Sequence, residues 1–586
     1  MATVITSFVP VANVEEVRKR GYLTVQVEGQ PVALFYHNDR VYAVDNRCPH
    51  MGFPLDRGTV RDGILTCHWH HARFDLASGG TFDQWADDVR SFPVEVRDGQ
   101  VWVDAAPHTD MVAHQRTRLR IGLERNLSLV IGKAVLSLLE ADPSGGEPFR
   151  AGLEFGTRYR EMGWGQGLTM HVCFMNLLPY LAAEDRPRAL YHGLSAVATD
   201  SAGQAPRFMV PPLPGDATGI PTLKRWFRQF IEVRDDEGAE RCIVSAIRAG
   251  ADHRQMADML FAAVTDHRYI QVGHPADFTN KAFEALDIAG WEMAEPVLTS
   301  LVRGYAGASR MEESNAWRYP VDLIAILERS FEALPDALMQ GEQRRAEGRV
   351  AWPGRRGLAD LLLGDDPQAS ADALLESLRG GCSAETLAGA VAYAAALRIA
   401  RFHTSNEFGD WDTALHTFTF ANAIHQGLRR APSAELLRGA FDAAMSVYLD
   451  RFLNIPAARL PQPNGAGNGT GAASLQRLSQ LLDRQQQVNQ AAQEVAGYLH
   501  HGGDTAALLA SIGRLLLRED RDFHTIQMVE AAFRQHSLLD DPAERSHVLI
   551  AAIRYLAAHS PTVRAQGQTY TIAQRLHRGE ELFRDA

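Results

Sequence analysis

Two short clusters constrain this chain more than anything else in it: Cys48-Pro49-His50 and, after sixteen intervening residues, Cys67-His68-Trp69-His70. Each offers one thiolate and one imidazole. Using all four on one centre requires two loops that face each other. Cys and His at short spacing are metal donors, and on donor chemistry alone zinc is the competing occupant. C-x-H is an unusual zinc spacing, however, and a zinc site leaves the glycines that follow each pair unexplained.

Gly52 and the run Leu55-Asp56-Arg57-Gly58 follow the first pair, and Phe74-Asp75 and Gly79 follow the second. With these flanks the motifs resemble the CPHxGxxLxxG and FDxxxG patterns of Rieske proteins. The resemblance implies a [2Fe–2S] cluster with Cys48 and Cys67 on one iron and His50 and His70 on the other. Neutral imidazoles in place of two thiolates leave less negative charge around such a cluster and raise its reduction potential. Two positions depart from the family, which usually shows C-P-W-H-G: here His68 and His71 replace the Pro and the Gly. Neither is a ligand position. Rieske proteins of respiratory complexes carry a further cysteine in each loop, joined as a disulfide. This chain has none there and resembles the ferredoxin-like branch.

Around the motifs the pattern is β. Leu23–Val27 alternates, 32–36 is a buried run, 41–44 follows a turn, and Asp98-Gly99 sits between Val94-Glu95-Val96 and Val101-Trp102-Val103 as a hairpin signal. Beyond Ala105-Ala106-Pro107 the periodicity becomes helical. Leu127, Val130, Ile131, Ala134 and Leu138 share one face. Asp504 is an N-cap candidate, and Asp541-Pro542-Ala543-Glu544 reads as a capping box with Pro at the first helical position. The expected organisation is a small all-β domain over 1–106 and a large all-α domain over 115–586, a helix-pair array. A flexible Gly/Pro insert at 461–471 is expected as a loop inside the helical body. The stretches 191–194, 517–524, 527–535 and 555–562 resemble questin-oxidase-like proteins, a family associated with oxidative ring opening of aromatic polyketides. That resemblance brings no established catalytic set with it.

A net charge of −12 argues against nucleic acid or an anionic membrane as the main partner. Only five cysteines occur, and Cys173, Cys242 and Cys382 are scattered, which fits a reducing compartment rather than a disulfide framework. No uncharged apolar stretch reaches 18 residues, so no transmembrane helix is expected. A cytoplasmic location follows as the expectation, with homo-oligomerisation left open.

Fifteen of the 22 histidines lie between His171 and His577. Asp266-His267, Phe402-His403 and Phe523-His524 recur where one helix gives way to the next, and His416 follows Asp412 by one helical turn. Imidazole with carboxylate suits non-haem iron, so His267, His274, His403, His416 and His524 are the candidate catalytic residues, with an additional non-haem iron as the further cofactor. The D-x-x-H-x₃₋₄-H triplet of Rieske oxygenase catalytic subunits does not occur. Gly163-Trp164-Gly165-Gln166-Gly167 lacks a P-loop Lys and reads as a turn, and no nucleotide fingerprint follows a strand. Electrons must therefore come from an external ferredoxin or flavin reductase. The first function expected is an oxidoreductase whose cluster serves a site in the helical domain that oxidises a small organic substrate, with aromatic compounds among the candidates. The alternative is an electron-transfer or redox-sensing protein whose helices form a docking scaffold.

Overall fold

The computed structural model describes residues 8–106, 110–215, 218–462, 471–580 and 582. Most of the insert expected at 461–471 lies outside them.

Turn chemistry builds the N-terminal part. Glu28-Gly29, Asn38-Asp39, Asp62-Gly63 and Asp98-Gly99 each place both residues at positive φ, the geometry that joins antiparallel strands without splaying them. They link β2 (Tyr22–Val27) to β3 (Gln30–His37), β3 to β4 (Arg40–Asp45), β5 (Thr59–Arg61) to β6 (Ile64–Thr66), and β9 (Val94–Arg97) to β10 (Gln100–Asp104). With β1 (Phe8–Asn13), β7 (Arg73–Asp75) and β8 (Ser91–Phe92) they form three antiparallel sheets, ordered β1-β10-β9, β2-β3-β4-β8 and β5-β6-β7. One core gathers Val32, Leu34, Phe92, Val101 and Val103 between sheets. A second gathers Leu55, Leu65, Phe74 and Leu76 around Cys48 and Cys67.

The two motif loops close in the same way. In the first, between β4 and β5, Cys48 N donates to Phe53 O at 2.8 Å and Gly52 N to Cys48 O at 2.7 Å. In the second, between β6 and β7, Cys67 N donates to Ala72 O at 2.8 Å and His71 N to Cys67 O at 3.0 Å. Gly52 and His71 thus hold equivalent positions, and both are left-handed, at φ +80° and +63°. The loop keeps its shape without the usual glycine, at the cost of forcing an L side chain into the αL region.

By compactness the chain divides into residues up to Pro148 together with those from Ala565, and Phe149–Arg564. The first unit runs past the change of pattern near residue 106, because helices Met111–Glu124, Ser128–Ala141 and Ala565–His577 belong with the strands. Lys133 donates to the Pro49 carbonyl, and Arg47 donates to Gly579 O at 3.1 Å. Leu576 lies 3.2 Å from where a Gly52 Cβ would stand.

The second unit is helical. Sequence neighbours pack as pairs, among them Gln166–Leu177 with Arg186–Ser201, Ala384–Ala400 with Phe408–Arg430, and Phe523–Leu538 with Pro542–Ala558. No helix among the described residues is long and apolar enough to cross a membrane. Helices His274–Ala289 and Phe523–Leu538 run parallel: Asp277 meets Gln527, Lys281 meets Glu530, and Glu284 lies 3.8 Å from Arg534. Phe408–Arg430 shares their direction, since His416 pairs with His524 and Asn422 with Gln535. So does Gln166–Leu177, whose first residue lines a cavity with His274 while Asn176, near its end, donates to Glu284 at 2.7 Å. The N-termini of these four helices therefore lie at one end.

Replacing His71 by Gly should raise stability by about 1 kcal/mol, because the αL conformation costs an L residue roughly that much. Gly52→Ala should lower it by about 1–3 kcal/mol. Denaturant titration followed by loss of visible absorption checks both. Equal effects of the two changes would contradict the loop equivalence.

Candidate functional site

The motif loops put two sulfurs inside and one imidazole out. Cys48 and Cys67 are buried, His50 is half-buried and His70 is exposed. The two imidazole rings lie 4.8 Å apart and nearly perpendicular, with Trp85 against His50 at 4.7 Å. A hydrogen bond between the sulfurs draws Cys67 down to about 6 and, with burial, pushes Cys48 up. The former is thus readily a thiolate, the form that ligates metal. Burial first, then the neighbouring His70 and Lys133, draws His50 down to about 4, so its ring is neutral at physiological pH. Its Nδ1 is buried without a hydrogen-bond partner. Two sulfurs, two imidazoles and an orphaned ring nitrogen among them fit a [2Fe–2S] group.

In the helical unit the structure brings together three of the five histidines expected there. His274 is the first residue of its helix, His524 the second of its own, and His416 lies in the third turn of Phe408–Arg430. One ring nitrogen from each falls within 4.8 Å of the other two, and His416 Nε2 lies 3.0 Å from His524 Nε2. Local chemistry sets each up. Asp522 caps the His524 helix by accepting from Thr525 N at 2.8 Å. Ahead of His274 the backbone turns through left-handed Tyr269, Gln271, Val272 and Gly273. For the β-branched Val272, at φ +49°, that is a costly conformation of the sort concentrated at functional sites.

Burial, followed by the neighbouring rings, draws His274 down to about 4 and His416 to about 3; burial also lowers His524. The positive ends of the helices act in the same direction. Three neutral imidazoles facing each other are metal-ready donors rather than mutually repelling cations. Behind them, Asp412 Oδ2 lies 3.8 Å from His524 Nδ1, its Oδ1 lies 3.7 Å from His559 Nε2, and Tyr555 donates to the same carboxylate at 2.5 Å. A carboxylate on the far nitrogen of a ligating histidine orients the ring and raises its basicity.

His267 and His403 stand apart from this group. His267 hydrogen-bonds Glu312 at 2.8 Å and lies 3.4 Å from Glu232 on the other side of the left-handed turn. His403 bonds Ser405 at 2.7 Å. It lines a cavity of about 1120 Å³ shared with Asp412, Arg521, Asp522 and His559. His425 bonds Gln535 farther along the bundle. Of the trio, His274 lines a second cavity, of about 440 Å³, with Trp164, Phe278, Tyr305, Phe523 and Arg160. Trp164 and Gly165 come from the glycine-rich turn.

Sequence reasoning missed a row of buried polar groups directly below the trio: Asp277, Lys281, Glu284, Gln527 and Glu530. Their successive spacing of three or four residues, counted on from His274 and His524, was the available signal.

A family described as the Rieske [2Fe-2S] domain matches residues 7–93. Over 107 residues the chain is 30% identical to the ferredoxin component of the p-cumate 2,3-dioxygenase system of Pseudomonas putida, covering 18% of this chain and 91% of that protein. It is 29% identical over 97 residues to apoptosis-inducing factor 3 of Homo sapiens, spanning only 16% of that relative's length and 16% of its own. Among solved structures it is similar to the ferredoxin of carbazole 1,9a-dioxygenase from Nocardioides aromaticivorans IC177. The identity there is 26% and the TM-score 0.17, over 17% of this chain and 99% of that one. The family match over residues 7–93 and the likeness to the p-cumate ferredoxin component, which the donors of the two loops suit, show that the chain belongs to the Rieske family and that its N-terminal domain binds a [2Fe–2S] cluster for electron transfer.

Proposed function

We propose that the chain is a Rieske-fused oxidoreductase that oxidises a small, largely aromatic substrate in its helical unit, using electrons from an external ferredoxin or flavin reductase. Cys48 and Cys67 hold one iron of the cluster and His50 and His70 the other. His274, His416 and His524 hold a further metal, which we assign as non-haem iron. When bound, the cluster supplies single electrons and the further metal a site for dioxygen. The observation that carries this reading is the convergence of three neutral imidazoles, two of them at helix N-termini and one from the third turn of its helix, beside a cavity walled by aromatic rings, in a chain that also has a Rieske domain.

The residues divide the work. Trp164, Phe278, Tyr305 and Phe523 offer apolar faces that exclude water and stack on a ring. Asp412 keeps its partner His524 oriented, and Tyr555 holds Asp412 in place. Insertion of oxygen into a C–H bond balances as R–H + O₂ + 2e⁻ + 2H⁺ → R–OH + H₂O, so the site needs protons as well as electrons. Two of the stretches resembling questin-oxidase-like proteins contribute His524, Tyr555 and His559, which supports an aromatic polyketide as the substrate class. None of the five cysteines forms a disulfide, in keeping with a cytoplasmic setting.

His50→Cys and His70→Cys should each abolish the low-average-g signal that the reduced wild type gives in electron paramagnetic resonance. Retention of that signal in both would remove the ligand assignment. Apo-protein titrated with Co²⁺ should develop visible d–d bands, absent in His416→Ala. Asp412→Ala should weaken the binding by about 10–100-fold, as expected for loss of an orienting carboxylate. Identical titrations of wild type and His416→Ala would refute the metal site. With a ferredoxin reductase supplied, polyphenolic polyketides should stimulate oxygen uptake in wild type and not in His416→Ala. Uptake indifferent to every such compound would favour the docking-scaffold reading.

A further inference from the structure

The His274 and His524 helices lie side by side, parallel, and face each other in four rungs. His274 stands with His524, Asp277 with Gln527, Lys281 with Glu530, and Glu284 with Arg534. Successive rungs are three or four residues apart, roughly 4.5–6 Å along the helix. At the far end, Glu284 accepts from Asn176 at 2.7 Å, Asn280 at 3.0 Å and Lys281 at 3.0 Å. Asn176, Asn280, Glu284 and Arg534 line an open cavity of about 530 Å³.

We propose that this ladder is a proton path leading from that cavity to the three-histidine centre. It rests on the reading of that centre as a dioxygen site, whose balance calls for two protons per O₂ with the electrons arriving from the external donor.

Three observations carry it. First, the two inner rungs are each hydrogen-bonded across the helices. Lys281 Nζ bonds both Glu284 and, at 2.5 Å, Glu530, while Asn176 bridges the same two carboxylates. One turn on, Gln527 donates its amide N–H to Asp277, and its Oε1 is buried with no hydrogen-bond partner among the described residues. That orphaned acceptor is where a water would bridge the next gap. Second, the charges do not close without a proton. The ladder holds three carboxyls, Asp277, Glu284 and Glu530, against two cations, Lys281 and Arg534. Burial holds Asp277 up at about 7, so it is the group that keeps the extra proton and can release it. Third, Asp277 makes no ion pair among the described residues and bonds only the Gln527 amide, so unlike Lys281 and Glu530 it pins no register, and a neutral side chain of similar volume would hold its position as well.

The test uses the full-length protein, reduced anaerobically with dithionite and mixed with dissolved dioxygen, with cluster absorption followed as it recovers. Asp277→Asn keeps an acceptor for Gln527 but cannot relay a proton. It should slow recovery by roughly 100-fold, with a larger D₂O effect than wild type and unchanged Co²⁺ binding. Asp277→Glu should restore the rate. Gln527→Met, which removes the acceptor for the bridging water and leaves the Lys281–Glu530 pair intact, should slow recovery as well, which covers the case in which Asp277→Asn does not fold. Wild-type recovery in both Asp277→Asn and Gln527→Met, alongside slow recovery in His416→Ala, would overturn the path and leave the dioxygen site standing. Wild-type recovery in His416→Ala would instead remove the site itself. Slow recovery in both Asp277→Asn and Asp277→Glu would mark Asp277 as structural and also overturn the path.

Discussion

The buried bond from Lys281 to Glu530 is the interaction on which the helical unit's chemistry depends. Both side chains are almost wholly inaccessible, at 1% and 2% exposure. Breaking such a pair by removing one partner costs about 3–5 kcal/mol, because the other charge is left buried and alone. A slip of one turn between the two parallel helices would do the same. The pair therefore acts as a register pin, and that register puts His274 opposite His524 two rungs away. From there the His416 helix needs only to share their direction to complete the trio. The left-handed turn at 269–273 and the Asp522 cap then determine where each helix begins. The position of the histidines is thus a consequence of charge pairing deeper in the bundle, not of contacts among the rings themselves.

The N-terminal domain reaches its site by the opposite strategy. Nothing long-range is needed to bring Cys48 and Cys67 together beyond three short hairpins whose turns each have their own local signal. Each loop closes on its own cysteine through two backbone hydrogen bonds, and His71 accepts a left-handed conformation so that the second loop can match the first. Helices from both ends of the chain then pack against this small domain, and Lys133 supplies a donor to the carbonyl of Pro49. Its redox site is built from local turns and finished by distant segments.

This difference explains what could be read from the sequence. The four cluster donors lie within 23 residues, flanked by Gly52, Gly58 and Gly79, so spacing and turn residues were enough. The all-β then all-α order was equally legible, because periodicity changes from two to 3.6 near residue 106. The trio was only partly legible. His416 and His524 are 108 residues apart, and the sequence marked helix starts without saying which would converge. His267 and His274 looked alike, yet a run of positive-φ residues separates them, and no propensity would assign that conformation to Gln271 or Val272. Lys281 and Glu284 stand three residues apart, a spacing that exposed helical ion pairs share, and the sequence does not show that a second helix buries them. Compactness likewise draws helices 111–141 and 565–577 to the β-domain, and their own amphipathic patterns carry no hint of that choice.

Iron per chain, counted together with its Mössbauer spectrum, tests the central claim most directly. A Rieske cluster accounts for two irons. Protein loaded with ferrous iron under anaerobic conditions should contain three, the third appearing as a separate high-spin ferrous doublet that His416→Ala loses while the cluster spectrum is unchanged. Two irons in the wild type, all of them in the cluster, would contradict the claim.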